Sequence, residues 1–373
     1  MHRVNAYRIM PVCFARRESD MPQPKVFIFA PADTESHKEL EDAGCLLALG
    51  SANWSNPTGD TTDKLAEMAS SADALAGTSI KGARISREVL RASEGLRIVA
   101  KYTVGVDEID VDAATELGIL VTHAPTEANW GGVAETTVTK LLTLLKNTRE
   151  RDRHMKSGGA WRDVSLTGTH IGTRGEDGYR GVVIGLIGLG RIGGRVSKLM
   201  APWGMRILAH DPYVSEKRFR DLGVEQVGLD DLLKESDVVS LHVILTKETH
   251  HMIGEREFGI MKSTAILINT SRGPVIDEPA LVKALQNELI GGAGLDVFET
   301  EPLPIDSPLR DLGDNVLLSP HMSSHNFGAG LTPGITWGTA DILHALRGED
   351  PEHVYNPEAL PQWRERFAGR PLI

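Results

Sequence analysis

The sequence predicts an α/β protein built on two doubly wound parallel sheets. Three observations carry that expectation. Short apolar runs alternate with helical stretches along most of the chain, the pattern of βα units in a parallel sheet. A glycine-rich turn, Gly188-Leu-Gly-Arg-Ile-Gly193, separates a β-branched apolar run from an amphipathic segment. That turn stands near mid-chain of 373 residues, so a domain-sized segment precedes it and two domains are expected.

The leading residues 1–20 carry Arg3, Arg8, Arg16 and Arg17 but lack the long apolar core of a signal peptide. They read as a disordered extension or as the product of a start codon upstream of Met21, with a transit-like segment as the minor alternative. In residues 21–122, strands are expected at Lys25–Ala30, Cys45–Leu49, Arg97–Ala100 and Ile119–Thr122. Helices are expected near Ser36–Ala43, Lys64–Ala69 and Val111–Leu117. Gly50–Thr62 is rich in Ser, Asn, Gly and Thr and reads as a loop. Val133–Lys146 has apolar residues at helical spacing and is more apolar than a solvated helix, which places it between domains or subunits. Asn147–Arg180 is polar and glycine-rich and reads as a surface excursion.

The second half opens on Val182–Ile187, a buried strand, and continues with the helix Arg191–Met200. Strands are expected at Met205–Ala209, Val238–Leu241, Ala265–Ile268, Ala293–Leu295 and Val316–Leu318. A helix at Thr339–Leu346 follows, and the chain is expected to end in loop.

The glycine turn has a physical reading. Gly188 permits the tight turn, Gly190 lets the backbone approach a pyrophosphate, and Gly193 lets the new helix pack on the strand. The phosphates then face free N–H groups at the positive helix end. The next strand runs into Asp211, roughly 20 residues beyond the turn. A carboxylate there suits the ribose hydroxyls of NAD and repels the 2′-phosphate of NADP. Its bland alternative is a turn aspartate before Pro212.

Three polar residues lie just past later strands, where open α/β sheets bind ligands. Arg272 offers a planar fork that grips a carboxylate bidentately and polarises an adjacent carbonyl; a surface arginine is the alternative. Glu301, with Glu299 as a competitor, is a carboxylate that raises the pKa of a neighbouring histidine. His321, with His325 as its alternative, titrates near neutrality and can pass a proton to or from an oxygen. Together they suit hydride transfer between NAD and a small 2-oxo or 2-hydroxy acid. No Cys/His cluster offers a metal site.

Composition excludes other classes. Net charge is −11 from 40 basic and 51 acidic residues, which disfavours nucleic acid and anionic membranes. No apolar run reaches transmembrane length. The two cysteines, Cys13 and Cys45, have no metal spacing and fit a reducing cytoplasm.

In its motifs the chain resembles the D-isomer-specific 2-hydroxyacid dehydrogenases. They are Lys101-Tyr-Thr-Val-Gly-Val-Asp-Glu-Ile-Asp110, Val133-Ala-Glu-Thr-Thr137, Gly188–Gly193, Ser236-Asp-Val-Val-Ser-Leu-His242, Ile268-Asn-Thr-Ser-Arg-Gly273, Asp296-Val-Phe-Glu-Thr-Glu-Pro302 and Ser319-Pro-His321. The resemblance implies a Rossmann NAD domain, residues 123–324, inserted into a flavodoxin-like substrate domain, residues 21–122 and 325–373. It implies Arg272, Glu301 and His321 as the catalytic triad. It also implies Arg191, Ile192 and Asp211 on the pyrophosphate and ribose, and Thr270 and Asp296 beside the nicotinamide. The backbone at Val104-Gly105 would hold the substrate carboxylate, and Val133–Lys146 would belong to a homodimer interface.

Four departures leave the substrate open: Thr136 where the family has His, Ile244 where it has Pro, Met322-Ser-Ser324, and Trp130 in a loop Glu127–Gly132. An NAD-sensing corepressor-like binding protein on the same fold is the alternative from another class. A phosphite-type dehydrogenase is the alternative among enzymes; formate enzymes carry Gln where Glu301 stands.

Overall fold

The computed structural model describes residues 23–32, 37–53, 55–327 and 331–373. The expected extension at residues 1–20 and Ser36, the first residue of the first expected helix, lie outside them. The chain divides into two units. One holds the described residues up to Tyr102, Val106–His123 and Thr336–Ile373; the other holds Thr103–Gly105 and Ala124–Ile335.

In the first unit the strands are β1 (Lys25–Ala30), β2 (Leu46–Leu49), β3 (Ala74–Gly77), β4 (Ile98–Lys101) and β5 (Leu120–Thr122), in the order β2-β1-β3-β4-β5. All pairs are parallel. β3 is the strand absent from the sequence reading, because Ala74-Leu-Ala-Gly77 has low strand propensity. Its small residues have a packing cause: a Cβ on Gly77 would lie 2.6 Å from the ring of Phe29 on the neighbouring strand. A short helix, Arg87–Arg91, was likewise not expected. Asp110 caps the helix Val111–Glu116, its Oδ1 accepting from Ala113 N–H at 2.9 Å.

The C-terminal chain rejoins this unit through backbone and side-chain bonds. Tyr355 N–H donates to Val121 O at 2.7 Å, and Asn356 Oδ1 accepts from Val121 N–H at 2.7 Å. The expected terminal loop is instead the helix Leu360–Phe367. It is anchored by the fully buried Trp363, whose indole N–H donates to Arg97 O at 3.0 Å.

The second unit carries β6 (Ile184–Ile187), β7 (Ile207–His210), β8 (Glu225–Gln226), β9 (Val238–Leu241), β10 (Ile266–Asn269), β11 (Gly292–Leu295) and β12 (Val316–Leu318), in the order β12-β11-β10-β9-β6-β7-β8. Every pair is parallel. β8 is a two-residue edge strand of exposed polar residues, too short to leave a periodicity. The order of strands reverses between β6 and β9. In open α/β sheets that switch point, at the carboxyl ends, is where ligands bind.

The long helix spans Glu127–Leu145. The Glu127–Gly132 segment expected as a loop is therefore its first turns, and Trp130 sits there half-buried. The apolar excess of this helix is explained within its own unit: Leu141, Leu144 and Leu145 join the core formed with Ile184, Leu186, Ile266 and Ile268. Among the described residues, no helix is long and apolar enough to cross a membrane.

Candidate active site

The glycine turn leaves β6 at Gly188, whose φ is 93°, a left-handed backbone suited to glycine. A Cβ there would also lie 2.7 Å from His242 O. Gly190 differs: no protein atom lies within 4 Å of the place its Cβ would occupy. The chain has cleared space at the N-terminus of the ten-residue helix Arg191–Met200 without filling it. Gly193 packs directly on the backbone of Gly188. An open cradle of N–H groups at a helix start fits a pyrophosphate, so the residues present suit a dinucleotide. Arg191 is exposed and Ile192 half-buried at the opening of that helix.

Asp211 follows β7. Its Oδ2 accepts from Leu189 N–H at 2.8 Å and its Oδ1 from Tyr213 N–H at 3.0 Å. The carboxylate therefore braces the glycine turn from the side, and each oxygen keeps lone pairs for a hydroxyl. Arg218 completes the brace, donating to Leu189 O at 3.1 Å and Gly190 O at 2.8 Å. Nothing in the sequence singled out Arg218, because it lies on an ordinary charged helix, Glu216–Leu222.

β10, β11 and β12 are neighbours, and their carboxyl ends deliver the remaining groups. Arg272 is half-buried and extended (φ −141°, ψ 141°), its Nη1 donating to Ser271 O at 2.7 Å. The turn that carries it is clamped by Asn269, fully buried at the end of β10. Asn269 Oδ1 accepts from Ser271 N–H at 3.0 Å, and its Nδ2 donates to Arg272 O at 2.9 Å. Thr270 is buried with its hydroxyl 2.8 Å from that of Thr137. The long helix therefore reaches the site, and Lys140 on it donates to Leu295 O at 3.1 Å. Burial pushes the Lys140 ammonium down, partly offset by the charge of Asp296.

Glu301 and His321 are brought together. Glu301 Oε2 lies 2.8 Å from His321 Nδ1, and Glu301 Oε1 accepts from Phe298 N–H at 3.1 Å. The competitor Glu299 turns elsewhere and pairs with His251. His325 is exposed. His321 has a left-handed backbone, φ 54°, rare for a residue with a side chain. Asp296 holds it there: its carbonyl accepts from His321 N–H at 2.8 Å, and its carboxylate accepts from Met322 N–H at 3.2 Å, Ser323 N–H at 3.0 Å and the Ser319 hydroxyl. Asp296 thus helps to build the His321 turn. Thr136 donates to Ser323 O at 3.2 Å, a further tie from the long helix.

Val104 and Gly105 are half-buried in the turn after Tyr102, and Thr103 O accepts from Ala124 N–H at 2.9 Å. Thr103–Gly105 groups with the unit that holds Arg272, Glu301 and His321. His242, by contrast, is a packing histidine: burial pushes its ring down to about 3, so it stays neutral behind the glycine turn. Among the described residues, no cluster of His, Cys, Asp or Glu is arranged to hold a metal.

Comparisons with known proteins identify the family. The model of the D-isomer specific 2-hydroxyacid dehydrogenase NAD binding domain matches residues 138–323. The chain is 41% identical over 316 residues to a glyoxylate reductase of Korarchaeum cryptofilum, covering 82% of this chain and 90% of the relative. It is 37% identical over 339 residues to a D-3-phosphoglycerate dehydrogenase of Methanocaldococcus jannaschii, covering 91% of this chain but 60% of that relative. Among solved structures, the D-lactate dehydrogenase of Aquifex aeolicus, complexed with NAD and lactic acid, superposes with a TM-score of 0.74. It is 31% identical, with 87% of this chain and 96% of that one covered. The chain therefore belongs to the D-isomer specific 2-hydroxyacid dehydrogenase family, and it is an NAD-dependent oxidoreductase of that class.

Proposed function

We propose that the protein reduces a small 2-oxo acid to the D-2-hydroxy acid, with Arg272, Glu301 and His321 as its catalytic groups. The observation that carries this reading is the Glu301–His321 pair at 2.8 Å, one strand along from the turn of Arg272. Bound NADH supplies the hydride. Arg272 grips the carboxylate of the acid and polarises its carbonyl. Glu301 accepts a hydrogen bond from the Nδ1–H of His321, which fixes the ring and presents Nε2 to the carbonyl oxygen. His321 gives that oxygen its proton as the carbonyl carbon is reduced, and takes it back in the reverse direction. The backbone of Val104-Gly105 receives the far side of the carboxylate, and Met322, beside His321, is placed to limit the size of the acid. Thr270 and Asp296 set the floor on which the nicotinamide rests. The relatives named for glyoxylate, phosphoglycerate and lactate all act on 2-oxo or 2-hydroxy acids, which supports the class.

Asp211 is the selector for NADH in this reading. Asp211→Ser raises the ratio of kcat/KM with NADPH to that with NADH by about a hundredfold, since the removed charge repels a 2′-phosphate by several kcal/mol. Steady-state kinetics with both cofactors checks it; an unchanged ratio places the selection elsewhere.

The functional particle is a homodimer. Trp161 and Val164, three residues apart in sequence, are 81% and 89% exposed, and large apolar side chains held in solvent are the ones an interface would cover. Trp161→Glu converts the dimer to a monomer by size-exclusion chromatography with light scattering. A wild-type monomer contradicts the assignment.

A further inference from the structure

His251 lies in the connection between β9 and β10, outside the groups assigned above. It has a left-handed backbone, φ 52°. Its N–H donates to Pro274 O at 2.8 Å, and two residues on, Ile253 N–H donates to Val275 O at 3.2 Å. The segment 251–253 is thereby stitched to 274–276, the chain directly after Arg272-Gly273. The His251 ring reaches the other way: Nε2 pairs with Glu299 Oε1. Glu299 lies two residues before Glu301, and its own N–H is held by Glu278 Oε2 at 3.0 Å. The ring of His250 lies beside that of His251, centroids 4.0 Å apart. A single residue is bonded through its backbone to the turn that carries Arg272 and through its side chain to the turn that carries Glu301.

We infer that His251, with Glu299, is a positioning residue for the reaction: it fixes the separation between Arg272 and the Glu301–His321 pair. The inference rests on the roles given to those three groups under the proposed function. Hydride transfer to a carbonyl demands that the carboxylate grip and the proton donor act on one small molecule at once. An error of about 1 Å between them lowers the rate up to a hundredfold. The two turns have another point of contact, where Gly273 packs on the backbone of Phe298. A packing contact sets how near the turns come. The His251–Glu299 bond sets how they are rotated about it, because it lies to one side and is directional.

The test uses the whole protein in five forms: wild type, His251→Leu, Glu299→Leu, the double variant, and His251→Gln as the conservative replacement. Readouts are kcat and KM for a 2-oxo acid, the Kd for NADH by fluorescence, and the thermal midpoint. The expected result is a fall of about tenfold in kcat for each single variant, with the NADH Kd within twofold of wild type. The double variant falls no further than the singles, as coupled residues do, and His251→Gln recovers most of the loss. Unchanged kcat overturns the inference. So does a loss that tracks the thermal midpoint, adds in the double variant and is not rescued by Gln, because that describes a merely structural bond. Should the leucine variants fail to fold, Glu299→Gln, which keeps the shape and removes the charge, decides by the same kcat criterion. Wild-type turnover is scored separately: no turnover with any 2-oxo acid removes the functional reading, whereas normal wild-type turnover with unaffected variants removes only this one.

Discussion

Arg272→Ala lowers kcat/KM for the 2-oxo acid by about a thousandfold or more while NADH binding stays within a few-fold of wild type. Removing one preorganised donor from a developing oxyanion costs about 10²–10³ in rate, and here the same side chain also supplies the grip on the carboxylate. A thousandfold loss corresponds to about 4 kcal/mol of transition-state stabilisation. The cofactor is spared on the proposed roles, because its pyrophosphate and ribose are assigned to the β6 and β7 ends of the sheet, whereas Arg272 stands beyond β10. Asn269 holds the backbone of the turn independently of the guanidinium, so the fold around the substitution survives. Steady-state kinetics with fluorescence titration of NADH checks it. Activity within tenfold of wild type removes Arg272 from its role.

His321→Ala lowers kcat by about 10²–10⁴, the range for a positioned general acid–base group. Glu301→Gln gives a smaller loss. The amide keeps a hydrogen-bond partner beside Nδ1 but withdraws the negative charge that stabilises the protonated ring. Steady-state kinetics of both variants checks this, and a wild-type kcat in Glu301→Gln contradicts the pairing. The geometry behind the prediction is specific, because Glu299, the rival carboxylate, is taken by His251.

Much of this site was legible in the sequence because its groups sit where chain geometry repeats. A strand end followed by a glycine or a polar residue recurs at Gly188, Asp211, Arg272 and His321, and strand ends are readable from apolar runs. What escaped is what depends on neighbours distant in sequence. β3 was invisible because its alanines and glycine are chosen by the Phe29 ring across the sheet. The terminal helix was missed because its anchor, Trp363, is buried against a strand about 265 residues earlier, not against its own segment. Trp130 was placed in a loop because Gly131-Gly132 reads as a breaker, yet Gly132 is helical and packs close to Ser323 O, 3.3 Å from where its Cβ would be. Arg218 holds the glycine turn, and Asn269 and His251 hold the turn of Arg272, through isolated side-chain or backbone bonds that leave no periodicity to read. The apolar excess of the long helix signalled burial, and Leu141, Leu144 and Leu145 meet the core of its own sheet.

The most direct test of the central claim is a coupled measurement of rate and product stereochemistry. Purified protein is mixed with NADH and, in turn, glyoxylate, hydroxypyruvate, pyruvate, phosphohydroxypyruvate and bulkier 2-oxo acids. NADH oxidation is followed spectrophotometrically, and the product of each chiral case is resolved on a chiral column. The account predicts NADH-dependent reduction of at least one of these acids, with the D-2-hydroxy acid as product and no turnover by His321→Ala beyond about one percent of wild type. NADH binding without turnover of any of them, or an L-product, contradicts it.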